Sequence, residues 1–346
     1  MEKNEVFIYD AWYLALPGKD LKKGAFVKKQ MLNQPFLIGR DKAGSVFALK
    51  DLCPHRGMPL SYGRFDGSII QCCYHGWCFD THGVCTDIPA LTEFDRVKVH
   101  NITVTSYPVR EANGNIWVFI PDPQGRKSDP TPFPFGIDFI EDFFPIETLR
   151  LPCNIDHANF GLLDPSHVTY VHQSWWWRSP KTKRMKRKAF ENCPLGFRMV
   201  SHEPSSNSRL MALLGKEVTT EITFQLPGVR TEVIKNERMS IVSMTTHTPI
   251  DESTTELNHF FYLPRNSFLK YLKPIIKYLG RKFLQQDFRN FTKQAYGLRY
   301  DPRVILVGEV DRQTEWYFSL KKSYQSTQNK AEVFGNIDKN VLHWYT

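Results

Sequence analysis

The sequence predicts an α+β protein, in which a small all-β domain precedes a larger domain whose helices flank an antiparallel sheet. From Phe7 to about Pro121, Val, Ile, Phe and Tyr alternate with polar residues between Gly, Asn and Asp turn signals, the pattern of short strands. Residues 121–134 hold five prolines and read as a linker. Helical spacing then appears in residues 154–172 and 267–300, on either side of strand patterns in residues 217–264.

These segments, taken in order, give the predicted domain division. In the first part the strands include FLIGR, SVFALKD, GSIIQCCYH and NGNIWVFIP. In the second part they include VTTEITFQLPG and TTELNHFFYLP, between the two helical segments. We place the domains at residues 1–125 and 126–346. The residues from about Thr327 onward are polar and weakly patterned, so no structure is predicted for them.

The composition fits an ordinary globular protein, with 41% hydrophobic and 23% charged residues. No apolar run approaches the roughly 20 residues of a membrane-spanning helix, and the start of the sequence lacks the pattern of a signal peptide. We therefore expect a cytoplasmic protein. The net charge of +9 suits an acidic protein, a nucleic acid or an anionic membrane surface, and does not choose among them.

A cysteine and histidine cluster is the strongest chemical signal in the chain. Five of the seven cysteines fall between Cys53 and Cys85, which points to metal binding in a chain without an export signal. Cys53 and His55 form a CxH pair, and Cys72 and His75 form a CxxH pair. Four such ligands suit either one tetrahedral zinc or a two-iron cluster with two cysteines on one iron and two histidines on the other.

The residues around these pairs, CPHRG and CCYHGWCFD followed by Gly83, Cys85 and Pro89, resemble the N-terminal domain of the Rieske ring-hydroxylating oxygenases. The resemblance extends from Trp12-Tyr13 to NGNIWVFIP. It implies a 2Fe-2S cluster that relays single electrons and is held by Cys53, His55, Cys72 and His75. Cys73, Cys78 and Cys85 lie outside the ligand positions, and we expect them to be small buried apolar residues.

A second motif follows the linker, where Asp164 precedes His167 by three residues and His172 by eight. A helix would need one irregular turn to bring both histidines onto one metal, and two histidines alone are a weak signal. The segment LLDPSHVTYVH, however, resembles the catalytic iron motif of the same oxygenase family. That resemblance makes His167 and His172 two ligands of a 2-His-1-carboxylate triad on a mononuclear Fe(II).

The third ligand should be a carboxylate far downstream. The setting of Asp287, in KFLQQDFRNFTKQ, is similar to that of the ligand in the late helix of the family. Asp311, in GEVDRQT, is the alternative, whereas Asp301 before Pro302 reads as a turn residue.

Asp164 matches a family residue that bridges the catalytic iron of one subunit and a Rieske histidine of its neighbour. The resemblance thus implies a homotrimer, with His75 of the partner subunit as the other end of the bridge. Helix capping by Asp164 before Pro165 is an alternative role. Many relatives carry an acidic residue and Asn where this chain has Phe160-Gly161, so that amide is missing or moved to Asn159.

The implied function is that of a terminal oxygenase, which uses O2 to hydroxylate or oxidatively demethylate an apolar, aromatic or cyclic small molecule. The chain resembles the monooxygenase and demethylase branch, with aromatic cis-dihydroxylation as the alternative. No GxGxxG opens a helix, so a ferredoxin or flavin reductase must deliver electrons from NAD(P)H. We expect the sheet strands and the residues after His172 to line the pocket. Trp175, Trp176 and Trp177 stand out there, with packing in the core or an interface as the favoured role of any single one.

Two other classes of protein fit less well. A pure electron carrier leaves the second metal motif and about 200 further residues without a role, and a nucleic-acid-binding zinc protein lacks a CxxC and HxxxH finger pattern. Residues 181–188 (KTKRMKRK) and the basic face of residues 270–282 are candidate docking surfaces for an acidic ferredoxin. Membrane-surface contact is a weaker alternative, through Phe268, Leu269, Leu272, Ile276 and Leu279.

Overall fold

The computed structural model describes residues 6–125, 130, 133, 135, 142–172, 174, 184–203, 217–237, 239–264, 268–300 and 302–345. The chain forms two compact units, Tyr9–Pro130 and Met1–Ile8 together with Thr131–Thr346. The start of the chain joins the second unit, where Lys321 Nζ donates to the carbonyl of Val6 at 3.1 Å.

The first unit contains three antiparallel sheets, in the orders β1-β11-β10, β2-β3-β4-β9 and β5-β6-β7-β8. Its hydrophobic interior includes Leu37, Leu60 and Phe79, all fully buried, in one cluster with Cys53 and Cys72. The strands are β1 Ala11–Pro17, β2 Ala25–Met31, β3 Gln34–Arg40, β4 Val46–Lys50, β5 Arg64–Phe65, β6 Ile69–Gln71, β7 Cys78–Asp80, β8 Cys85–Asp87, β9 Ser106–Tyr107, β10 Val109–Ala112 and β11 Asn115–Ile120.

The second unit is built on an eight-stranded antiparallel sheet in the order β12-β18-β17-β16-β15-β14-β13-β19. Its core lies between this sheet and the helices, where Ile234 and Leu257 of the sheet cluster with Leu284 and Ala158 of two helices. The predicted α+β class is therefore confirmed. The strands are β12 Asp142–Leu151, β13 Met185–Cys193, β14 Gly196–His202, β15 Thr219–Gln225, β16 Val229–Lys235, β17 Ser240–Pro249, β18 Thr255–Leu263 and β19 Val341–Tyr345; the helices are α1 Ile155–Leu163, α2 Val168–Val171, α3 Lys273–Leu298 and α4 Arg312–Ser326.

The C-terminal segment differs from the prediction, because β19 is the edge strand of the sheet and pairs with β13. Its side chains alternate: Leu342 and Trp344 are buried, whereas His343 and Tyr345 are exposed. That period of two is a strand signal, and the polar residues before it obscured it. In the basic segment of residues 181–188, the described residues 185–188 belong to β13.

Two of the residues proposed for membrane contact, Leu269 and Ile276, face the core in the described structure, whereas Leu272 is exposed. Leu269 is 8% exposed and packs in the core, and Ile276 packs against the same cluster. Phe268 lies among the residues whose side chains are not described. Among the described residues, no helix combines the length and apolar character required to cross a bilayer.

Two histidines, the buried His247 and the partly buried His259, make the stability of this unit depend on pH. Burial lowers the pKa of His247 to about 3, and burial together with Arg230 lowers the pKa of His259 to about 3. Unfolding returns each to about 6.5, so the unfolded chain binds more protons between those values. Stability is fully present above pH 6.5 and is lost as the pH falls toward 3, by about 2 kcal/mol per histidine at pH 5. We expect the free energy of unfolding in urea to fall between pH 7 and pH 5, and the fall to be smaller in His247→Asn; an equal fall in the variant would contradict this origin.

Candidate metal centres

Two loops of the first unit have the same backbone design. In each, a cysteine N–H donates to the carbonyl five residues on, from Cys53 to Met58 at 2.8 Å and from Cys72 to Trp77 at 2.9 Å. In each, the glycine four residues after the cysteine has a positive φ and donates its N–H back to the cysteine carbonyl. A side chain would strain that turn, which is the physical reason for Gly57 and Gly76.

The loops bring the four predicted cluster ligands to one end of the unit. The rings of His55 and His75 lie 4.6 Å apart between centroids, and the ring of His55 stacks on Trp77 at 4.5 Å. Both thiols are buried. Burial raises the pKa of Cys53 to about 11, aided by the neighbouring Cys72, although the N–H groups of His55 and Arg56 point at its sulfur and lower it.

These residues fit a two-iron cluster better than one zinc ion. A tetrahedral zinc with bonds of about 2.0–2.3 Å brings all four donor atoms within about 4 Å of one another. Within the described part of the chain, the four donor atoms of Cys53, His55, Cys72 and His75 do not converge to within 4.8 Å. Two buried thiols side by side, Cys53 with a raised pKa, need positive charge nearby to be held as thiolates, which iron would supply.

The other cysteines of this region differ in part from the prediction. Cys85 is fully buried, as expected. Cys78 is only half-buried and Cys73 is exposed, so the expectation of burial is wrong for Cys73. Cys73 directly follows the loop-anchored Cys72, and its side chain points away from the interior that holds Cys72. All seven cysteines are free.

The second motif lies where one helix ends and a short one begins. Instead of one continuous helix over residues 154–172, α1 ends at Leu163, and Asp164 caps its C-terminus by donating its N–H to the carbonyl of Phe160 at 2.9 Å. Pro165 cannot donate an N–H, and a turn follows. His167 is the N-cap of α2 and His172 its C-cap. The irregularity that the histidine spacing required lies at His172, where the backbone leaves the helical conformation with φ −96° and ψ 70°.

Asp287 comes from the middle of α3 and reaches the two histidines. The helix is held close to α1, because a Cβ at Gly161 would lie 2.5 Å from the ring of Phe291. Oδ1 of Asp287 lies 3.1 Å from Nε2 of His172 and 3.7 Å from Nε2 of His167.

This triad has the features of a metal site. His167, His172 and Asp287 are the one group of three or more candidate ligands, among the described residues, whose donor atoms all lie within 4.8 Å. Nε2 of His172 is buried and has no hydrogen-bond partner, although the carboxylate is 3.1 Å away. An orphaned imidazole nitrogen beside a carboxylate is costly unless a cation lies between them. Two imidazoles and one carboxylate are the donor set of non-haem Fe(II).

Two neighbours in α3, which the sequence reasoning did not single out, orient His172. Nδ1 of His172 is 3.0 Å from Oε1 of Gln286, so the ring donates there and leaves the lone pair of Nε2 toward Asp287. Gln286 in turn donates to Ser174 at 2.9 Å. The ring of Phe283 stacks on that of His172 at 3.6 Å. Their positions one and four residues before Asp287, on neighbouring faces of one helix, are the sequence signal that could have found them.

The two carboxylate oxygens of Asp164 contact different residues. Oδ1 accepts from both the N–H and the hydroxyl of Ser166 at 2.6 Å, and Oδ2 lies 3.7 Å from Nδ1 of His167. Burial opposes the charge of Asp164, but His167 and Ser166 outweigh it and lower its pKa. Burial likewise opposes a charge on His167, but Asp164 and Asp287 outweigh it and raise its pKa. The cap that Asp164 makes is on the C-terminus of α1, not on the helix that follows.

The other residues that the sequence suggested for the site lie outside the triad or outside the described residues. Asp311 accepts the N–H of Val307 at 2.7 Å and is not part of the triad cluster. Asn159 is fully buried, donates to the carbonyl of Pro227 and contacts Nδ1 of His247 at 2.8 Å, so its amide is used away from the triad. Asp301 and the three tryptophans lie outside the described residues.

A cavity of about 490 Å³ opens beside the triad in the second unit. Asp164, His167 and Asp287 contribute to its wall, together with the apolar side chains of Phe160, Val171, Phe291, Val304, Ile305 and Leu306. Its size suits a small organic molecule or an inserted side chain.

Comparisons with known proteins match both parts of the chain. Residues 11–108 match the Rieske [2Fe-2S] domain family, and residues 154–311 match the vanillate O-demethylase oxygenase C-terminal domain family. The iron-sulfur subunit of the toluene-4-sulfonate monooxygenase system of Comamonas testosteroni is 31% identical over 167 residues, which are 48% of this chain and 47% of that protein. The chain spans about half the length of the curated relatives that it matches.

Two solved structures share the fold. Dicamba monooxygenase bound to dicamba superposes with a TM-score of 0.73 at 20% identity, over 93% of this chain and 99% of that one. The oxygenase of carbazole 1,9a-dioxygenase, in its reduced complex with ferredoxin, superposes with a TM-score of 0.70 at 18% identity, over 95% of this chain and 91% of that one.

Proposed function

We propose that this chain, which belongs to the Rieske-type non-haem iron oxygenases, is a terminal oxygenase that hydroxylates or oxidatively demethylates an apolar cyclic or aromatic small molecule. It would use O2 and electrons that a separate reductase takes from NAD(P)H. Insertion of both oxygen atoms, as in cis-dihydroxylation, is the alternative outcome at the same site.

The observation that supports this function most strongly is the presence of two different metal-binding arrangements in one chain. The triad of His167, His172 and Asp287 has mutually close donor atoms and an orphaned imidazole nitrogen. The loops of the first unit present paired thiols and paired imidazoles on matched backbones. A relay site together with a site that has three protein ligands is the combination that oxygen activation needs.

We assign Cys53, His55, Cys72 and His75 to the cluster, and His167, His172 and Asp287 to the mononuclear iron. When bound, the cluster supplies single electrons, and Fe(II) in a three-ligand site supplies positions at which O2 is activated. Gln286 holds the tautomer of His172 by accepting from Nδ1, and Phe283 fixes the plane of its ring. Phe160, Val171 and Phe291 give the cavity an apolar part of its wall, which suits an apolar substrate.

We assign Asp164 the role of the bridge to a second subunit. Its Oδ2 faces His167 and the cavity, whereas Ser166 fixes Oδ1. The cavity wall includes two exposed apolar side chains, Val304 at 52% and Ile305 at 68% accessible, and the nearby Val307 is 62% accessible. A patch of this kind is typical of an interface, which favours a homotrimer in which His75 of the partner subunit approaches Asp164.

A ferredoxin or flavin reductase is the proposed electron donor. The related carbazole 1,9a-dioxygenase oxygenase has been solved in complex with a ferredoxin. The net charge of +9 would favour encounter with an acidic donor. A cytoplasmic location is proposed as well, in keeping with seven free cysteines.

An anaerobic assay of iron and acid-labile sulfide, with visible and EPR spectra, tests this function. We expect about three irons and two sulfides per chain, with a Rieske spectrum, because two irons belong to the cluster and one to the triad. His167→Ala should lose one iron and keep that spectrum. Zinc in place of iron, or no acid-labile sulfide, would rule out the oxygenase.

A further inference from the structure

One row of side chains crossing the sheet of the second unit is polar on the face that the helices cover. The register pairs Arg230 with Thr245, Thr245 with His259, and His259 with Glu147. Directly paired residues of an antiparallel sheet point to the same side, so these four lie in line across β16, β17, β18 and β12. At about 4.8 Å per strand, the row is about 14 Å long.

This row lies on the same side of the sheet as the triad. Ile241 and Leu257 share its face and pack with Leu284 of α3 and Ala158 of α1, so both helices cover this face. Helix α3 carries Asp287, and α1 leads to His167.

The position of Asp287 along α3 follows from two contacts of that helix. Near its start, Nε of Arg281 lies 2.9 Å from Glu147, the end of the polar row. Farther along, Phe291 packs on Gly161 of α1. Asp287 lies between these contacts and therefore above the part of the sheet that contains the row.

A polar row beneath helices is costly unless its members are paired or contact a ligand. Its charged members are paired: Arg230 lies 3.3 Å from Glu232, and Glu147 is bound by Arg281. The described residues of the row and its neighbours thus carry balanced charge.

His259 is the member of the polar row that we consider as a ligand contact. Its Nδ1 lies 2.8 Å from the hydroxyl of Thr245, and no described residue hydrogen-bonds the other ring nitrogen. Surrounding protein and Arg230 lower its pKa to about 3, yet the residue as a whole is only partly buried. A side chain that is surrounded by protein but not fully buried is expected where a residue lines a recess.

We propose that His259 is a specificity-determining residue that hydrogen-bonds an uncharged oxygen or nitrogen of the substrate. The substrate is then a neutral ring compound with one polar group, such as a carbonyl, amide or hydroxyl, rather than a carboxylate or sulfonate. Thr245 is a positioning residue, because its hydroxyl hydrogen-bonds Nδ1 of His259 and so holds the ring with its other nitrogen directed elsewhere. This inference builds on the proposed function, since it concerns the substrate of the same iron site.

A matched pair of threonines provides the control. Thr245→Val removes the hydroxyl that contacts His259 and keeps the shape of the side chain. Thr246→Val makes the same change one residue on, on the opposite face, where the buried Thr246 hydroxyl has no hydrogen-bond partner. His259→Phe is a second variant, which keeps a ring beside Phe261 and removes both nitrogens.

The probes are naphthalene-2-carboxamide and naphthalene-2-carboxylate, which have nearly the same shape and differ in charge. Dissociation constants are measured by calorimetry on the oxygen-free holoenzyme. We expect the amide to bind at least tenfold more tightly than the carboxylate in the wild type and in Thr246→Val. In Thr245→Val and His259→Phe, this preference should fall at least fivefold, the effect of one lost hydrogen bond.

Three results would overturn the inference: a carboxylate that binds as tightly as the amide, no binding of either probe, or equal effects of the two threonine changes. Iron, sulfide and the EPR spectrum are measured on the same samples. Intact metal centres with any of these three results would overturn the role of His259 alone, whereas missing iron and sulfide would overturn the proposed function.

Discussion

An Asp287→Ala variant is expected to hold about two irons per chain instead of about three, to keep the cluster spectrum, and to lose substrate turnover. Oδ1 of Asp287 is the atom that lies near both histidines, at 3.1 and 3.7 Å. Without it, two neutral imidazoles remain. They lack the negative charge that helps hold a divalent cation, and two ligands fall short of the facial triad. Metal analysis with EPR on the purified, oxygen-free variant checks this result.

Asp311→Ala is the matched control. Asp311 lines the same cavity and was the other carboxylate that the sequence allowed, but its side chain accepts the N–H of Val307. Its removal should leave about three irons per chain and lower stability by about 1 kcal/mol, the usual effect of one lost hydrogen bond. Loss of iron in Asp311→Ala with retention in Asp287→Ala would reverse the assignment.

The choice between Asp287 and Asp311 shows what the sequence alone could predict. Local patterns were sufficient to place Cys53, His55, Cys72 and His75 on two loops, because each pair lies within four residues of the chain. The third iron ligand is 115 residues beyond His172. Only the packing of α3 on α1, at Phe291 and Gly161, brings it near the histidines.

The row of Arg230, Thr245, His259 and Glu147 was not predictable for a related reason. Its members come from four strands, and a shift of one residue in any pairing would move a member to the opposite face. The sequence shows strands in residues 217–264 but not their register. It also gave no sign of β12 and α4, since the first follows a proline-rich linker and the second is rich in polar residues.

An Asp164→Asn variant is expected to keep both metal centres and to lose turnover by about 100-fold, the upper range for partners of metal ligands. The amide oxygen can still accept from Ser166, so the turn after α1 should persist. What is removed is the negative charge that faces His167. Stopped-flow oxidation of the reduced cluster, after mixing with O2 and substrate, should slow by the same factor. Turnover within twofold of the wild type would argue against any electron-transfer role for Asp164.

Mixing two inactive variants then distinguishes electron transfer between subunits from electron transfer within one subunit. Cys72→Ser chains lack the cluster but keep Asp164 and the iron triad, whereas Asp164→Asn chains keep the cluster. If electrons pass from the cluster of one subunit to the iron of its neighbour, co-expressed chains should regain activity, because some neighbours combine an intact cluster with an intact Asp164. If transfer occurs within each chain, no mixture can regain it, since every chain lacks one of the two parts. Recovery of activity therefore requires both the bridging role of Asp164 and an oligomer. If mixed oligomers of verified composition stay inactive, the bridge is excluded.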